Sequence, residues 1–173
     1  MLRMPISTHS YASSTASQIC LEQQCSKGLD YYEAENYIEA IKIWKPLAEQ
    51  GHADAQYNLA RCYYNGTGVA QDSYATVSWY RKAAEQGFAR AQNDLAICYY
   101  TGTGVAQDYC AAVSWFRKAA EQGHAEAQNN LAISYDNGTG VAQDSYAAVS
   151  WFRKAAEQGH TKAREALSRL KNI

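Results

Sequence analysis

No stretch of this sequence approaches the run of about eighteen apolar residues that a membrane-spanning helix requires, so membrane insertion is not expected. Charge of one sign is not in excess either. Its 16 basic and 17 acidic residues leave a net charge of -1, which provides no basic field to gather a polyanion, and no nucleic acid is expected as a partner. Residues 1–18 carry Arg3 but then turn rich in Ser and Thr, without the continuous apolar segment of an export signal. They read as a flexible tail, and the chain is expected in the cytoplasm. The cysteines Cys20, Cys25, Cys62, Cys98 and Cys110 are odd in number and lack paired CxxC spacing. That pattern indicates neither a zinc site nor a full disulfide framework, so reduced thiols are expected. No Ser, His and acidic residue recur in an arrangement that would assemble a nucleophile, and neither catalysis nor a cofactor is expected.

What is present is repetition. The tetrapeptide AEQG recurs at Gly51, Gly87, Gly123 and Gly159, every 36 residues, a period typical of helical arrays. The blocks 52–87, 88–123 and 124–159 each read as a short helix, an NGTGVAQD-type loop and a second helix. In the first of them Ala53, Gln56, Leu59, Ala60 and Tyr63 form one buried helical face. Gly66 and Gly68 supply positive φ in the loop, Asp72 stands where it can cap the next helix, and Gly87 ends it. In that second helix Tyr74, Val77, Trp79, Ala83 and Ala84 are expected to interdigitate with neighbours around the Trp, as Trp115 would in the following copy. The spacing predicts helices over 20–34, 37–50, 53–64, 73–86, 89–100, 109–122, 125–136, 145–158 and 161–171, with no strand. One repeat domain then spans 19–173: a divergent unit over 19–51, three near-copies, and a polar capping helix over 160–173 with Ala163 and Leu167 inward and Lys162, Arg164, Arg169 and Lys171 outward.

Several smaller signals have plain readings. His52, His124 and His160 follow the terminal glycines, but Phe88 fills that slot in the remaining copy, which favours packing on the helix end over metal ligation. The GTGVAQD loop lacks the Gly-Lys-Ser/Thr ending of a phosphate cradle, and Asn65-Gly-Thr and Asn137-Gly-Thr read as turns. Cys98 and Cys110 would lie side by side when their hairpin closes, which leaves two expectations, a disulfide or two small core thiols.

The pattern AxAQxxLAxxYxxGxGVxxDxxxAxxWxxxAAEQG over Ala53 to Gly87, repeated twice more, resembles the Sel-one-like repeat (SLR) family, relatives of tetratricopeptide (TPR) repeats. Gly28, Tyr31, Ala40 and Trp44 make unit 19–51 look more like a tetratricopeptide repeat. The resemblance implies an all-α, right-handed α-α superhelical solenoid of antiparallel helix hairpins whose first helices line a concave groove. It also implies an adaptor role in protein complexes, with some bacterial members neutralising or assisting secreted effectors. A cysteine-rich branch carries disulfides at positions that here are Ala84 and Gln92.

Because the copies are so alike, the positions at which they differ are informative. On the first helices these are Asp54, Tyr57, Arg61 and Tyr64, matched by Arg90, Asn93, Ile97 and Tyr100 and by Glu126, Asn129, Ile133 and Asp136, with Tyr32 from the first unit. Their spacing defines one helical face, and the resemblance makes it the groove. RKAAEQG on the second helices is identical in three copies, which argues against general drift. The expected function is a non-catalytic protein-protein interaction module, monomeric on its own, that binds a protein or peptide partner. The alternative is an immunity protein or chaperone-like neutraliser of a toxin or effector. Single-stranded RNA is disfavoured because Glu22, Glu33, Asp54, Glu126 and Asp136 stand against Arg61 and Arg90.

Overall fold

A computed structural model describes residues 9–170, with side chains from Ile19 onward. Among the described residues every regular element is a helix: α1 His9–Glu33, α2 Tyr37–Glu49, α3 Ala53–Asn65, α4 Ser73–Glu85, α5 Ala89–Thr101, α6 Tyr109–Glu121, α7 Ala125–Asn137, α8 Ser145–Glu157 and α9 Thr161–Leu170. From α2 to α9 each helix starts on the residue expected and ends within one of the expected position. The first helix differs. It begins at His9, so the tail read over 1–18 is helical from that residue, while residues 1–8 and Lys171 lie outside the described residues.

Local chemistry explains these sharp boundaries. Asp72, Asp108 and Asp144 accept hydrogen bonds from the amides of Ala75, Ala111 and Ala147 at 2.9–3.0 Å, fixing the starts of α4, α6 and α8. The Gln before each Asp works in the other direction: Gln71, Gln107 and Gln143 donate to the last-turn carbonyls of Tyr64, Tyr100 and Asp136 at 2.7–2.8 Å. The AEQG joint is tighter still. Gly51, at φ 96°, donates to Ala48 O, and His52 donates to Leu47 O, the paired bonds of a Schellman motif. His52 is at the same time the N-cap of α3, its Nδ1 accepting from Ala55 N at 3.4 Å. His124 and His160 repeat this role. The histidines are therefore caps, whereas Phe88 caps nothing and packs at 5.2 Å from the Tyr57 ring.

Helices in substantial contact are those adjacent in the chain, from α1 on α2 to α8 on α9, which makes the molecule a solenoid. Each core layer is a second helix held between two first helices. Val77, Tyr80, Ala83 and Ala84 of α4, for example, pack with Ala60 of α3 and with Ala91, Leu95 and Cys98 of α5. The large residue at the centre of each layer is Tyr80, Phe116 or Phe152, each no more than 4% exposed. Trp79 and Trp115, expected there, are only half-buried, as is Trp151, and Tyr74 is 80% exposed. One residue is 100° of helix rotation, enough to move the Trp from the layer's centre to its edge. In the first unit the Trp is central: Trp44 is 1% exposed and its indole N–H donates to Cys25 O at 3.1 Å.

The loops close the stack. At Gly104 and Gly140 a Cβ would stand 2.1 and 2.2 Å from the carbonyl oxygens of Ser73 and Tyr109 in the preceding unit, so glycine is required for the loop to seat on that helix start. Cys98 and Cys110 are both free, and of the two expectations the core thiol holds for Cys98, which is buried, but not for Cys110, which is exposed.

Candidate functional site

The first helices repeat one register. Asp54, Arg90 and Glu126 stand exposed near the helix starts. Two turns on come Arg61, Ile97 and Ile133, both isoleucines 38% exposed, with Leu29 of α1 at 39%. The last turns carry Tyr64, 48% exposed, Tyr100 and Asp136. Open depressions separate neighbouring first helices. The depression between α1 and α3, about 250 Å³, is lined by Glu22, Leu29, Asp54 and Asn58. Ile97, Tyr100, Glu126, Asn130 and Ile133 line another of about 280 Å³ between α5 and α7. A third, about 570 Å³, places Asn129, Ile133 and Asp136 opposite Lys162, Glu165 and Arg169 of α9.

The row Tyr57, Asn93, Asn129 departs from the expectation that all varying residues face a partner. Asn93 and Asn129 are 3% and 2% exposed and belong to a polar relay across the array. The amide of Asn129 approaches Asn130 Oδ1 at 3.5 Å, Asn130 donates to Asn93 Oδ1 at 3.2 Å, and Asn93 donates to Asp94 at 3.0 Å. The Tyr57 hydroxyl faces the same carboxylate. All donors run toward Asp94. Burial pushes the Asp94 carboxyl above its ordinary value, opposed by the Asn93 and Tyr57 bonds. Tyr57 is pushed up to about 12 by burial first and the Asp94 charge second.

The structure gathers Arg61, Tyr32 and Tyr57, the guanidinium lying 5.6 and 5.9 Å from the two ring centroids. Tyr100 packs elsewhere, edge-on to Tyr109 at 5.1 Å. Asn58, Asp94 and Asn130 were not among the expected site residues. Their signal was present, since they share one register and read Asn, Asp, Asn.

The second helices owe their uniformity to internal contacts. Lys82, Lys118 and Lys154 sit 3.9–4.0 Å from the rings of Trp79, Trp115 and Trp151. Arg81 and Arg117 donate to the hydroxyls of Tyr99 and Tyr135 at 2.8 and 2.7 Å. Gln86, Gln122 and Gln158 donate to Gln56, Gln92 and Gln128, which in turn hold the Ala48, Ala84 and Ala120 carbonyls. The identity of RKAAEQG therefore measures scaffold constraint and is no yardstick for drift. At the groove rim His160 Nε2 lies 2.7 Å from Glu126. Arg90 takes Glu126's place beside His124, whose pKa is lowered by burial first, with Arg90 adding to it and Asp94 and Glu126 opposing.

The Sel1 repeat family model matches residues 21–52, 53–88, 89–124 and 125–160, so the divergent first unit is taken in as a fourth copy. Among solved structures the chain is similar to a Sel1 repeat protein from Oxalobacter formigenes, at 36% identity over 83% of this chain and 59% of that one, TM-score 0.79. It is likewise similar to a protective antigen of uropathogenic Escherichia coli strains that displays an SLR fold, at 35% identity over 91% of this chain and 35% of that one, TM-score 0.79. The Helicobacter pylori cysteine rich protein B shares the fold, at 21% identity over 75% of this chain and 92% of that one, TM-score 0.60. No curated protein matches the sequence. The chain thus spans 59% and 35% of the lengths of the first two relatives. With four repeat units matched over most of its length, the chain belongs to the Sel1 repeat family, whose members are generally protein-protein interaction modules.

Proposed function

We propose that the chain is a non-catalytic module that captures a protein or extended peptide along its first-helix face. The observation that carries this reading is the apolar row Leu29, Ile97 and Ile133 with Tyr64, each 38–48% exposed and each beside an open depression or a helix end. Covering the remaining area of such a side chain contributes on the order of 1 kcal/mol. A row of them, with Tyr and Arg interleaved, has the composition of an interface centre. An adaptor and a blocking inhibitor, such as an immunity protein or a chaperone-like neutraliser of an effector, would use the same face and differ only in what the partner loses.

Photo-crosslinking tests the reading. A photoreactive amino acid is placed at Ile97 or Ile133, or instead at the exposed second-helix residues Ser114 or Ser150. In extracts of the source cell, one partner band is expected from the first pair and none from the second. Crosslinks from Ser114 and Ser150 alone would move the site to the second-helix side.

A further inference from the structure

Charge is divided unevenly between the two sides of the array. On the second helices most of the cations are engaged within the chain, each RK lysine on its Trp, Arg81 and Arg117 on tyrosine hydroxyls and Lys42 on Glu39. Across the first helices α1, α3, α5 and α7, the carboxylates Glu22, Asp30, Glu33, Asp54, Asp94, Glu126 and Asp136 stand against Lys27, Arg61 and Arg90, whereas α9 sets Glu165 against Lys162, Arg164 and Arg169. Among the described residues only Glu126 of these carboxylates has an ion-pair partner, His160. Arg61 is held by the Tyr32 and Tyr57 rings.

A second feature points to a ligand independently of charge. Asn58 is 7% exposed and lines the depression between α1 and α3, where, among the described residues, only the Cys25 thiol shares a hydrogen bond with its carboxamide. Asn129, 2% exposed, lines the depression between α7 and α9 and reaches only Asn130, at 3.5 Å. Buried carboxamides are normally paired. Each opens instead into a space where a peptide group, one donor and one acceptor, is its natural complement.

Resting on the reading that this face binds a partner, we propose that its occupant is an extended basic peptide segment of another protein. Its main chain meets Asn58 and Asn129, its apolar side chains cover Leu29, Ile97 and Ile133, and its Lys and Arg side chains meet Asp54, Glu126 and Asp136. A single strand of RNA brings phosphates to the same carboxylates and is repelled, as is an acidic peptide. Exposed carboxylates set partner choice and association rate more than final affinity, so binding should weaken with salt.

The test is selection from a random-peptide phage library on the intact protein, followed by fluorescence anisotropy of the recovered peptides at low and high salt. The expected result is peptides carrying about twice as many Lys and Arg as Asp and Glu. Their affinity should fall about tenfold in the combined Asp54→Asn, Glu126→Gln, Asp136→Asn variant, and should also fall with Asn58→Ala plus Asn129→Ala. Circular dichroism checks that each variant is folded, and a variant that is not is replaced by its single substitutions. Peptides that are lost with Ile97→Asp but are neutral or acidic overturn this inference and leave the first-helix reading standing. Peptides indifferent to both sets of substitutions, or no selected peptide, overturn both.

Discussion

Gly123 and Gly140 both hold positive φ, at 90° and 71°, yet only one of them is enclosed. A Cβ at Gly123 meets nothing within 4 Å, whereas one at Gly140 stands 2.2 Å from Tyr109 O and 2.5 Å from Tyr109 C. Gly123→Ala therefore carries the left-handed backbone cost alone, about 1–2 kcal/mol. Gly140→Ala carries a similar cost and must also push the fourth unit's loop off the start of α6, an overpacking cost of about 1–3 kcal/mol more. For a chain of this size each kcal/mol lowers the melting temperature by about 2–4 °C. The expected losses are about 2–8 °C for Gly123→Ala and about 4–20 °C for Gly140→Ala, read by circular dichroism melts in parallel. Urea midpoints check that the ranking does not depend on the mode of unfolding. Equal losses would refute the reasoning, because they would mean that the loop moves freely over the preceding unit and that the units are not in close register.

Phe116→Ala should cost about 3–5 kcal/mol and Trp115→Ala less, since Phe116 is 3% exposed and Trp115 only half-buried, and the reverse order in urea unfolding would place the Trp in the layer's centre. His124 is held neutral with its pKa below the ordinary 6.5, so its contribution to stability is complete above that pH and is lost as the pH falls through it, when the unfolded chain takes up the proton first. Asp94, raised by burial, acts in the opposite sense toward its own more acidic range, so the readout is the difference between wild type and His124→Asn at pH 7.5 and 5; no difference in that slope refutes the assignment. Of the five thiols, Cys20 and Cys110 should react quickly with a disulfide reagent in the native protein. Cys25 and Cys98, buried and pushed up to about 11, should react only on unfolding, as should buried Cys62, and five fast thiols would contradict the core packing.

Helix starts were legible because single side chains set them: Asp72, Asp108 and Asp144 cap, and each AEQG glycine stops the helix before it. The start of α1 was not, since the Ser- and Thr-rich stretch before Gln18 carries no apolar period and no cap that reads as a beginning. The exchange of Trp115 for Phe116 has a similar origin, because two adjacent large aromatics satisfy an apolar stripe equally well and only the neighbouring helix decides which points inward. Variation between copies picks out one register on the first helices, and most of those residues stand at least partly exposed there. It misses at Asn93, where what changes from copy to copy is part of a buried relay. Uniformity misled in the same way, because a solvated face and a face of Lys–Trp and Gln–Gln contacts look alike in one sequence.

At the joint between units the residue that finishes one helix stands next to the residue that begins the following one, and Gln122, Gly123 and His124 are all that lies between α6 and α7. One added residue there would break the paired bonds of the joint and shift α7 against α6, separating Gln128 from the Ala120 carbonyl and Arg117 from Tyr135. Such an array cannot grow or shrink by small steps. Its length changes only when a whole 36-residue unit is copied or deleted, with the break falling at the same place in each copy, and the span it can offer a partner is therefore inherited in fixed increments.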